Sequence, residues 1–445
     1  MDMYLPPWVI RCLDALEQAG FSAYAVGGCV RDACLGKTPN DYDLCTQALP
    51  EQIQQVFRDH KLVLAGVKHG TVGVVTSGGV VEITTYRSEG SYADSRHPDW
   101  VSFETHVEQD LSRRDFTVNA MAYSPRRGFA DPFGGQQDLD RGILRAVGEP
   151  EKRFREDALR ILRGIRFAVR FSLQVEEKTL KAMLETRNLM DHLARERVFD
   201  ELSRFLPLAD RQSLCTFAPI LAAAISELSP MIGFDQKNPH HAYDLYTHTA
   251  WVVAQVPPDP ALRWAALLHD VGKVPTFTLD QEGCGHFYGH DQVGARMADD
   301  ILLRLKAPTA LREQVVCLIK NHMNPLPDSR KVLRRRISRL GWELTEKLWY
   351  LQRADLCSKG LEPSQDLERF SRVWEMMEQL WQEDACLSLR GLQINGYDLQ
   401  ALGLSGREIG RTLNALLALV LDEQLPNTRE ALLEQAEKLR RESED

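Results

Sequence analysis

Strand-forming patterns end about a third of the way along this 445-residue chain, and this change limits the folds open to it. Up to residue 145, β-branched segments punctuated by glycine alternate with helical stretches, which is typical of a small sheet. From Glu149 onward, helical periodicity continues to the C-terminus almost without strand signals. The pattern predicts an α+β head with a small mixed or antiparallel sheet, followed by all-helical segments.

The chain length and an apolar fraction of 44% are sufficient for two to four domains with separate cores. We expect four segments, at 1–145, 146–235, 236–360 and 361–445. Within the first segment, the patterns predict helices at 1–20, from the glycine pair at 27 and 28 to 35, and at 50–60, and strands at 21–26, 41–45, 62–67, 71–76 and 79–86.

The bulk composition excludes several classes of protein. No stretch of about 18 uncharged apolar residues occurs, so we expect no membrane span. Asp14 and Glu17 interrupt the N-terminal apolar pattern, which predicts an amphipathic helix rather than a signal peptide. Nine scattered cysteines without a C-x-x-C pair predict free thiols and a cytoplasmic location. The net charge of −9 disfavours nucleic-acid binding, except where basic residues cluster locally.

Two aspartates in the head are candidates for metal-dependent chemistry. Asp41 and Asp43 lie two positions apart on a predicted strand, so their carboxylates share one face. Carboxylates of this kind suit Mg²⁺, and two such ions can assist nucleotidyl transfer. Glu82 lies within an apolar strand and is a candidate third carboxylate, or simply an outward-facing position. A bare D-x-D pair is most often a surface pair.

Glycines and arginines near these carboxylates are candidates for phosphate binding. Gly28 ends a strand before a helix that carries Arg31, and glycine lets backbone approach a phosphate. Arg114 begins an apolar segment together with Asp115 and Asn119, which are candidates for sugar or backbone contacts. The structural alternatives are a simple turn with a surface arginine, and a helix N-cap at Asp115.

Residues 153–170 hold six arginines and two acidic residues and predict one amphipathic helix. Asp157, adjacent to Arg160 on that surface, could form an ordinary ion pair with it. Four polar positions step by three along one side of the predicted helix, at Asp157, Arg160, Arg163 and Arg166.

Five ordered motifs together resemble the class II tRNA nucleotidyltransferase family, which includes bacterial poly(A) polymerases. They are GGCVRDACLG at 27–36, DYDL at 41–44, YADSRHPDWVSF at 92–103, RRDFTVNAMAY at 113–123 and REDALRILRGIRF at 155–167. The resemblance implies a head, neck, body and tail, and addition of CCA to tRNA from CTP and ATP. It also implies metal ligation by Asp41 and Asp43, and nucleotide contacts by Gly28, Arg31, Arg114, Asp157, Arg160, Arg163 and Arg166.

The resemblance makes Asp157 and Arg160 an amino-acid template. An ionised Asp only accepts hydrogen bonds and an Arg only donates them. Cytosine and adenine each present an amino donor for the Asp and a ring-nitrogen acceptor for the Arg. Uracil and guanine present ring N–H donors and carbonyls instead, so the buried Asp and Arg would be left unpaired and these bases would be rejected. The loop at 91–103, which the family associates with A addition, favours complete CCA synthesis. An enzyme that adds only A, or a poly(A) polymerase, stays open as an alternative.

A second group of polar residues lies among apolar helices between 240 and 360. It consists of His248, His269, Asp270, His290, His322 and Asp355. Asp is rarely buried without a partner, and nitrogen and oxygen ligands suit a divalent metal. A lone histidine here would more often be a packed core residue.

The order His, His-Asp, Asp resembles the HD phosphohydrolase superfamily. The resemblance implies a divalent metal of unknown identity at His248, His269, Asp270 and Asp355, with His290 and His322 as candidate ligands of a second ion. Lys273 could meet a phosphate, or could form a salt bridge with Asp270. An alternative function of another class follows: a metal phosphohydrolase acting on phosphate esters or 2′,3′-cyclic phosphates, with the head binding RNA.

The remaining helices resemble the family's tRNA-binding tail. The resemblance implies contacts with the tRNA acceptor stem and elbow. The basic run at 330–339 is either a phosphate-binding track or an ordinary surface helix. The sequence carries no indication of oligomeric state.

Overall fold

The computed structural model describes residues 3–89, 101–239, 242–360, 365–383 and 386–444. The chain divides into two compact units. The first contains residues 1–209 and 216–229, and the second contains 210–215 and 230–445. The finer division into four segments stays a prediction.

The first unit is built on a seven-stranded mixed sheet in the order β3-β4-β5-β2-β1-β8-β9, and β6 pairs separately with β7. Its strands are β1 Ala23–Val26, β2 Asp43–Thr46, β3 Leu62–Val63, β4 Thr71–Thr76, β5 Gly79–Thr85, β6 Arg87–Glu89, β7 Val101–Phe103, β8 Ala122–Ser124 and β9 Gly128–Ala130. Only β2 and β5 pair in parallel within the described sheet. This confirms the predicted α+β head.

Three strand predictions were wrong in their bounds, and the strand predicted at 21–26 begins only at Ala23. The strand predicted at 41–45 begins only at Asp43, so Asp41 lies in the preceding loop. The strand predicted at 62–67 ends at Val63, because a turn follows that closes at Gly70 with a φ of 82°. Such a left-handed conformation favours glycine over any residue with a side chain.

Helices surround the sheet and extend beyond it up to residue 224. They are α1 Pro7–Gln18, α2 Gly28–Cys34, α3 Pro50–Val56, α4 Val107–Ser112, α5 Gly135–Asp140, α6 Pro150–Glu156, α7 Leu159–Arg170, α8 Glu177–Thr186, α9 Arg195–Phe205 and α11 Ala218–Ala224, whereas α10 Arg211–Thr216 belongs largely to the second unit. Two short strands, β10 Ile143–Leu144 and β11 Gln174–Val175, pair in parallel. Gly164 lets α7 pack closely, because a Cβ there would lie 2.2 Å from Met183 and 2.9 Å from Phe116.

The prediction of one continuous helix over 153–170 was wrong. The chain leaves the helical conformation at Asp157, whose φ and ψ are −145° and 104°, and α7 begins at Leu159. The Asp157 carboxylate accepts a hydrogen bond from the backbone N–H of Leu159 at 3.0 Å. Asp competes in this way with helical hydrogen bonding, which is why it favours helix starts over helix interiors.

The second unit is helical apart from the hairpin of β12 Thr278–Leu279 and β13 Gly285–His286. Its remaining helices are α12 Leu245–Gln255, α13 Pro260–Leu268, α14 Lys273–Thr276, α15 His290–Arg304, α16 Thr309–Asn321, α17 Arg330–Leu340, α18 Trp342–Cys357, α19 Gln365–Gln382, α20 Gly396–Ala401, α21 Arg407–Leu421 and α22 Arg429–Glu444. None of the helices in the described ranges has the length and apolar character needed to cross a bilayer.

The basic run at 330–339 forms α17, and acidic residues compensate much of its charge. Arg335 Nε lies 2.7 Å from the Asp422 carboxylate, and Arg334 Nη1 lies 2.9 Å from that of Glu423. Arg330 pairs with the same Glu423 at 3.0 Å. These contacts favour an internal structural role over a phosphate-binding track.

Candidate active site and candidate metal centre

A cavity of 560 Å³ in the first unit is lined by nine arginines and five aspartates. It brings together nine of the residues predicted from the sequence: Gly28, Arg31, Asp41, Asp43, Arg114, Asp157, Arg160, Arg163 and Arg166. The excess of positive charge in this lining suits a polyanionic ligand such as a nucleoside triphosphate.

Three carboxylates approach one another at the sheet. Asp43 begins β2 and lies in register with Glu82 on the parallel strand β5, while Asp41 lies two residues earlier, in the loop before β2. Although the Asp43 side chain reaches the surface, desolvation by the surrounding fold and the negative charge of Asp41 raise its pKa to about 6. A divalent cation would relieve this repulsion, so the donor set fits such an ion. The Glu82 side chain is exposed, as are those of Asp41 and Asp43, and it is not among the residues that line the cavity.

Gly27 packs directly against Arg114 in the cavity lining. Gly27 has a φ of 76°, and a Cβ there would lie 2.6 Å from Arg114 Nη1. Arg114 is held by Asp110 at 3.3 Å, and its buried Nε meets no acceptor in the described chain. Glycine at 27 is therefore required by both the backbone conformation and the neighbouring guanidinium.

A hydrogen-bonded network connects the two ends of the cavity floor. Arg31 donates to Asn119 Oδ1 at 2.6 Å, and Asn119 donates to Asp115 at 2.9 Å. Arg163 donates to the other oxygen of Asp115 at 2.8 Å. Burial alone would raise the pKa of Asp115, but Arg163 and Asn119 outweigh it and lower that pKa to about 2. The network holds Arg31 and Arg163 in place. Asp115 Oδ1 also accepts a hydrogen bond from the Phe116 N–H at 2.8 Å, which is the backbone contact considered for it alongside a sugar contact and an N-cap.

The ordinary ion pair considered as the alternative role of Asp157 and Arg160 is absent from the described contacts. Asp157 instead accepts from Arg197 Nη2 at 3.1 Å, and Arg160 pairs with Glu156 at 3.0 Å. Because the helix breaks at Asp157, the two residues do not lie on one continuous helix, as the predicted three-residue spacing assumed. Arg197 was not predicted from the sequence, because 40 residues separate it from Asp157. The only signal in the sequence was its position on the amphipathic helix α9.

The second unit brings together all six residues of the predicted histidine and aspartate group. His248 Nε2 lies 3.0 Å from Asp355 Oδ1, and His269 Nε2 lies 3.2 Å from Asp270 Oδ2. On the other side of Asp270, Oδ1 lies 3.5 Å from His290 Nε2 and 4.0 Å from that of His322. The two oxygens of Asp270 therefore face two separate histidine pairs.

The orientation of the four imidazoles fits metal ligation. Each Nδ1 faces a backbone carbonyl, so that nitrogen carries the proton and Nε2 presents its lone pair to the centre. The acceptors for His248, His269, His290 and His322 are Ser358, Ala266, Phe287 and Ile319, at 3.1, 2.8, 2.8 and 2.6 Å. Two overlapping groups of ligand atoms result, His248–His269–Asp270 and Asp270–His290–His322.

Lys273 lies beside this cluster but is already paired. Its Nζ is 2.9 Å from Asp270 Oδ2 and 3.0 Å from Gln236 Oε1. This is the salt bridge considered as the alternative to a phosphate contact. Lys273 nevertheless lines a cavity of 340 Å³ together with Asp270, His290 and Asp355, so the cluster is open to a small ligand.

One predicted element cannot be placed. Most of the motif at 92–103, with the loop associated with A addition, lies outside the described residues. Only the segment Val101–Phe103, which forms β7, is described.

Comparisons with known proteins agree with this geometry. Residues 23–145 match the family described as Poly A polymerase head domain, and residues 245–360 match the HD domain family. A CCA-adding enzyme of Pediococcus pentosaceus is 36% identical over 278 residues, which cover 60% of this chain and 70% of that enzyme. One of Streptococcus thermophilus is 46% identical over 206 residues, covering 46% and 51% of the two chains.

The fold has a solved counterpart over its whole length. The Bacillus stearothermophilus CCA-adding enzyme in complex with CTP aligns with a TM-score of 0.72 and 25% identity, covering 99% of both chains. By sequence, the chain spans about half the length of the first curated relatives it matches. The predicted family resemblance is confirmed for both the head and the histidine-containing domain.

Proposed function

Because the chain belongs to the CCA-adding enzyme family, we propose that it adds CCA to the 3′ end of tRNA from CTP and ATP, without a nucleic-acid template. One observation carries this proposal: the candidate base-reading residues Asp157 and Arg160 line the same cavity as Asp41 and Asp43. Base selection and phosphoryl chemistry thus have their candidate groups in one cavity.

In this proposal, the tRNA 3′-hydroxyl attacks the α-phosphate of the bound nucleotide and pyrophosphate leaves. The family implies use of a divalent metal, and we assign Mg²⁺ to Asp41, Asp43 and Glu82. When bound, two such ions would lower the pKa of the attacking hydroxyl and stabilise the leaving group. Gly28 gives the triphosphate close access to backbone, and Arg31, Arg114, Arg163 and Arg166 compensate its charge.

Asp157 and Arg160 select the base. Asp157 keeps lone pairs beyond those that Leu159 and Arg197 occupy, and one can accept the amino group of cytosine or adenine. Arg160 donates to Glu156 and to the carbonyls of Arg153 and Arg113, and it retains further N–H donors for the ring nitrogen. Uracil and guanine would place a ring N–H donor against Arg160, which has no acceptor to offer.

Three tRNA transcripts test the proposal, ending before CCA, after the first C and after CC. Each is incubated with Mg²⁺ and single or paired nucleoside triphosphates, and the products are sized on a gel. We expect the first transcript to grow by three nucleotides only with CTP and ATP together. Growth of only the CC-ended transcript would indicate an A-adding enzyme, and unlimited growth with ATP would indicate a poly(A) polymerase. No growth would reject nucleotide addition.

The orientation of the four imidazoles supports a second candidate function in the other unit. We assign a divalent metal to His248, His269, Asp270 and Asp355, with His290 and His322 for a second ion. The site then suits hydrolysis of phosphate esters or 2′,3′-cyclic phosphates, since a metal of this kind supplies an activated water. The test is release of phosphate, or opening of a cyclic phosphate, by metal-loaded protein and by the Asp270→Asn variant. Equal rates would reject it.

We also assign the enzyme to the cytoplasm. All nine cysteines are free thiols, which fits a reducing compartment. Localisation of a tagged chain by fractionation tests this assignment.

A further inference from the structure

Most of the positive charge in the first unit's cavity is compensated before any ligand binds. Seven of its nine arginines form an ion pair with a carboxylate. The pairs are Arg31–Asp32, Arg113–Asp110, Arg114–Asp110, Arg160–Glu156, Arg163–Asp115, Arg166–Glu201 and Arg197–Asp157. Arg170 and Arg204 differ: both are exposed, and neither has a carboxylate partner among the residues that the structure describes.

These two arginines lie at the same end of a pair of helices. Asp157 pairs with Arg197 at 3.1 Å, and Arg166 pairs with Glu201 at 2.6 Å, so α7 and α9 run in the same direction. Arg170 follows Arg166 by four residues and Arg204 follows Glu201 by three, which is about one helical turn in each case. The guanidinium groups of Arg170 and Arg204 therefore lie about one turn beyond the buried Arg166–Glu201 pair, on the facing sides of the two helices.

A third cation lies near Arg170, beside the ring of Phe171. Arg170 Cζ lies 5.2 Å from the centroid of the Phe171 ring, and Lys37 Nζ lies 5.4 Å from the same centroid. Lys37 is exposed and also lacks a carboxylate partner in the described chain. Like charges gathered in this way repel one another unless an anion lies between them. We call Lys37, Arg170 and Arg204 the rim cations.

We propose that the rim cations bind backbone phosphates of the RNA whose 3′ end is extended in the adjoining cavity. This inference rests on the proposed function. A phosphate group is the ligand that suits these positive charges, and it could belong to RNA or to the triphosphate. RNA is favoured because the candidate triphosphate contact Arg31 is 5% exposed and Arg166 is 6% exposed, whereas the rim cations extend from the surface. Exposed, flexible cations suit a phosphate backbone contacted without base readout.

Salt-dependent tRNA binding tests the inference. The variant carries Lys37→Ala, Arg170→Ala and Arg204→Ala. Its control carries Arg58→Ala, Arg155→Ala and Lys181→Ala, which removes three exposed charges of the same unit outside the cavity. We expect the variant, but not the control, to bind tRNA more weakly and to lower the slope of log Kd against log salt by about 2, because each lost phosphate contact contributes roughly 0.7 to 0.9.

Kinetics then separate the two sources of phosphate. We expect the KM for tRNA to rise in the variant while the KM for CTP stays unchanged. A variant that carries Arg170→Lys and Arg204→Lys in place of the alanine substitutions should recover most of the tRNA affinity. An increase in the CTP KM with unchanged tRNA binding would overturn the inference in favour of the triphosphate. Unchanged values for both would also overturn it, in favour of solvated surface charges.

The inference and the proposed function can fail separately. If the wild-type protein extends no tRNA but loses tRNA affinity through the rim substitutions, the proposed function fails and the rim site stands. If it extends tRNA and the rim variant binds normally, only the rim site fails. Circular dichroism checks that each variant is folded. If the triple rim variant is not folded, the single Arg204→Ala variant replaces it.

Discussion

At the scale of single residues, the carboxylates at the start of β2 carry the chemistry of the proposed reaction. The raised pKa of Asp43 shows how strongly Asp41 and desolvation disfavour its charge in the absence of a cation. Replacement by the isosteric amide removes the negative charge of this proposed metal ligand while preserving its shape.

We therefore expect Asp43→Asn to reduce nucleotide addition by on the order of a thousandfold, since a bound metal supplies several kcal/mol of transition-state stabilisation. tRNA affinity should stay within about twofold of wild type, because this carboxylate opposes phosphate binding. Single-turnover extension and filter binding measure the two effects. The exposed Asp59→Asn is the control, and retained turnover in Asp43→Asn would reject the metal assignment.

Asp115 makes a prediction about stability and pH. Its pKa is about 2 in the fold and 3.8 for an ordinary aspartate, so its ionised form is favoured by folding. The contribution, about 2 kcal/mol, is therefore fully present well above pH 4 and is lost as the pH falls from about 4 towards 2.

Urea unfolding between pH 7 and pH 3 tests this sign. We expect the wild-type protein to lose stability at the acid end more steeply than Asp115→Asn, which has no proton to bind. Parallel curves for the two proteins would show that the Arg163 and Asn119 contacts do not favour the ionised form.

At the scale of elements, the break between α6 and α7 positions the candidate base-reading residue Asp157. Asp157 is removed from the helix and oriented by two contacts, the Leu159 N–H and Arg197 on α9. A continuous helix would place the carboxylate on a solvated face beside Arg160.

Removing the second contact should cost selectivity more than turnover. We expect Arg197→Ala to lower the ratio of kcat/KM for CTP over that for UTP by about tenfold. Without Arg197, Asp157 is held less firmly, so its hydrogen bond to the base contributes less free energy to the discrimination between CTP and UTP. Arg195→Ala, on the same helix but outside the cavity lining, is the control. An unchanged ratio would mean that Asp157 needs no support from α9.

Local spacing explains why so much of the site was predictable. Gly28, Asp41, Asp43 and Arg114 occupy short motifs whose geometry depends on a few adjacent residues. The helix break was not predicted, because the apolar stripe continues across it without glycine or proline. Arg197 and Glu201 could not be predicted either, since they reach α7 through pairs 40 and 35 residues apart.

At the scale of the whole molecule, the two candidate centres lie in different units, so their functions should be separable. We expect His269→Gln with His322→Gln to abolish bound divalent metal in the second unit without changing the rate of CCA addition by more than about twofold. Elemental analysis and the extension assay measure the two effects, and the exposed His192→Gln is the control. A parallel loss of addition would show that the histidine cluster supports the transferase.

The order of the seven strands also bears on how the protein behaves in concentrated solution. A sheet can recruit a strand from another molecule only along its two outer edges. Here those edges are β3, with two residues, and β9, with three. Each offers few free backbone groups to hold a foreign strand in register, so folded molecules should resist joining through this sheet even when crowded.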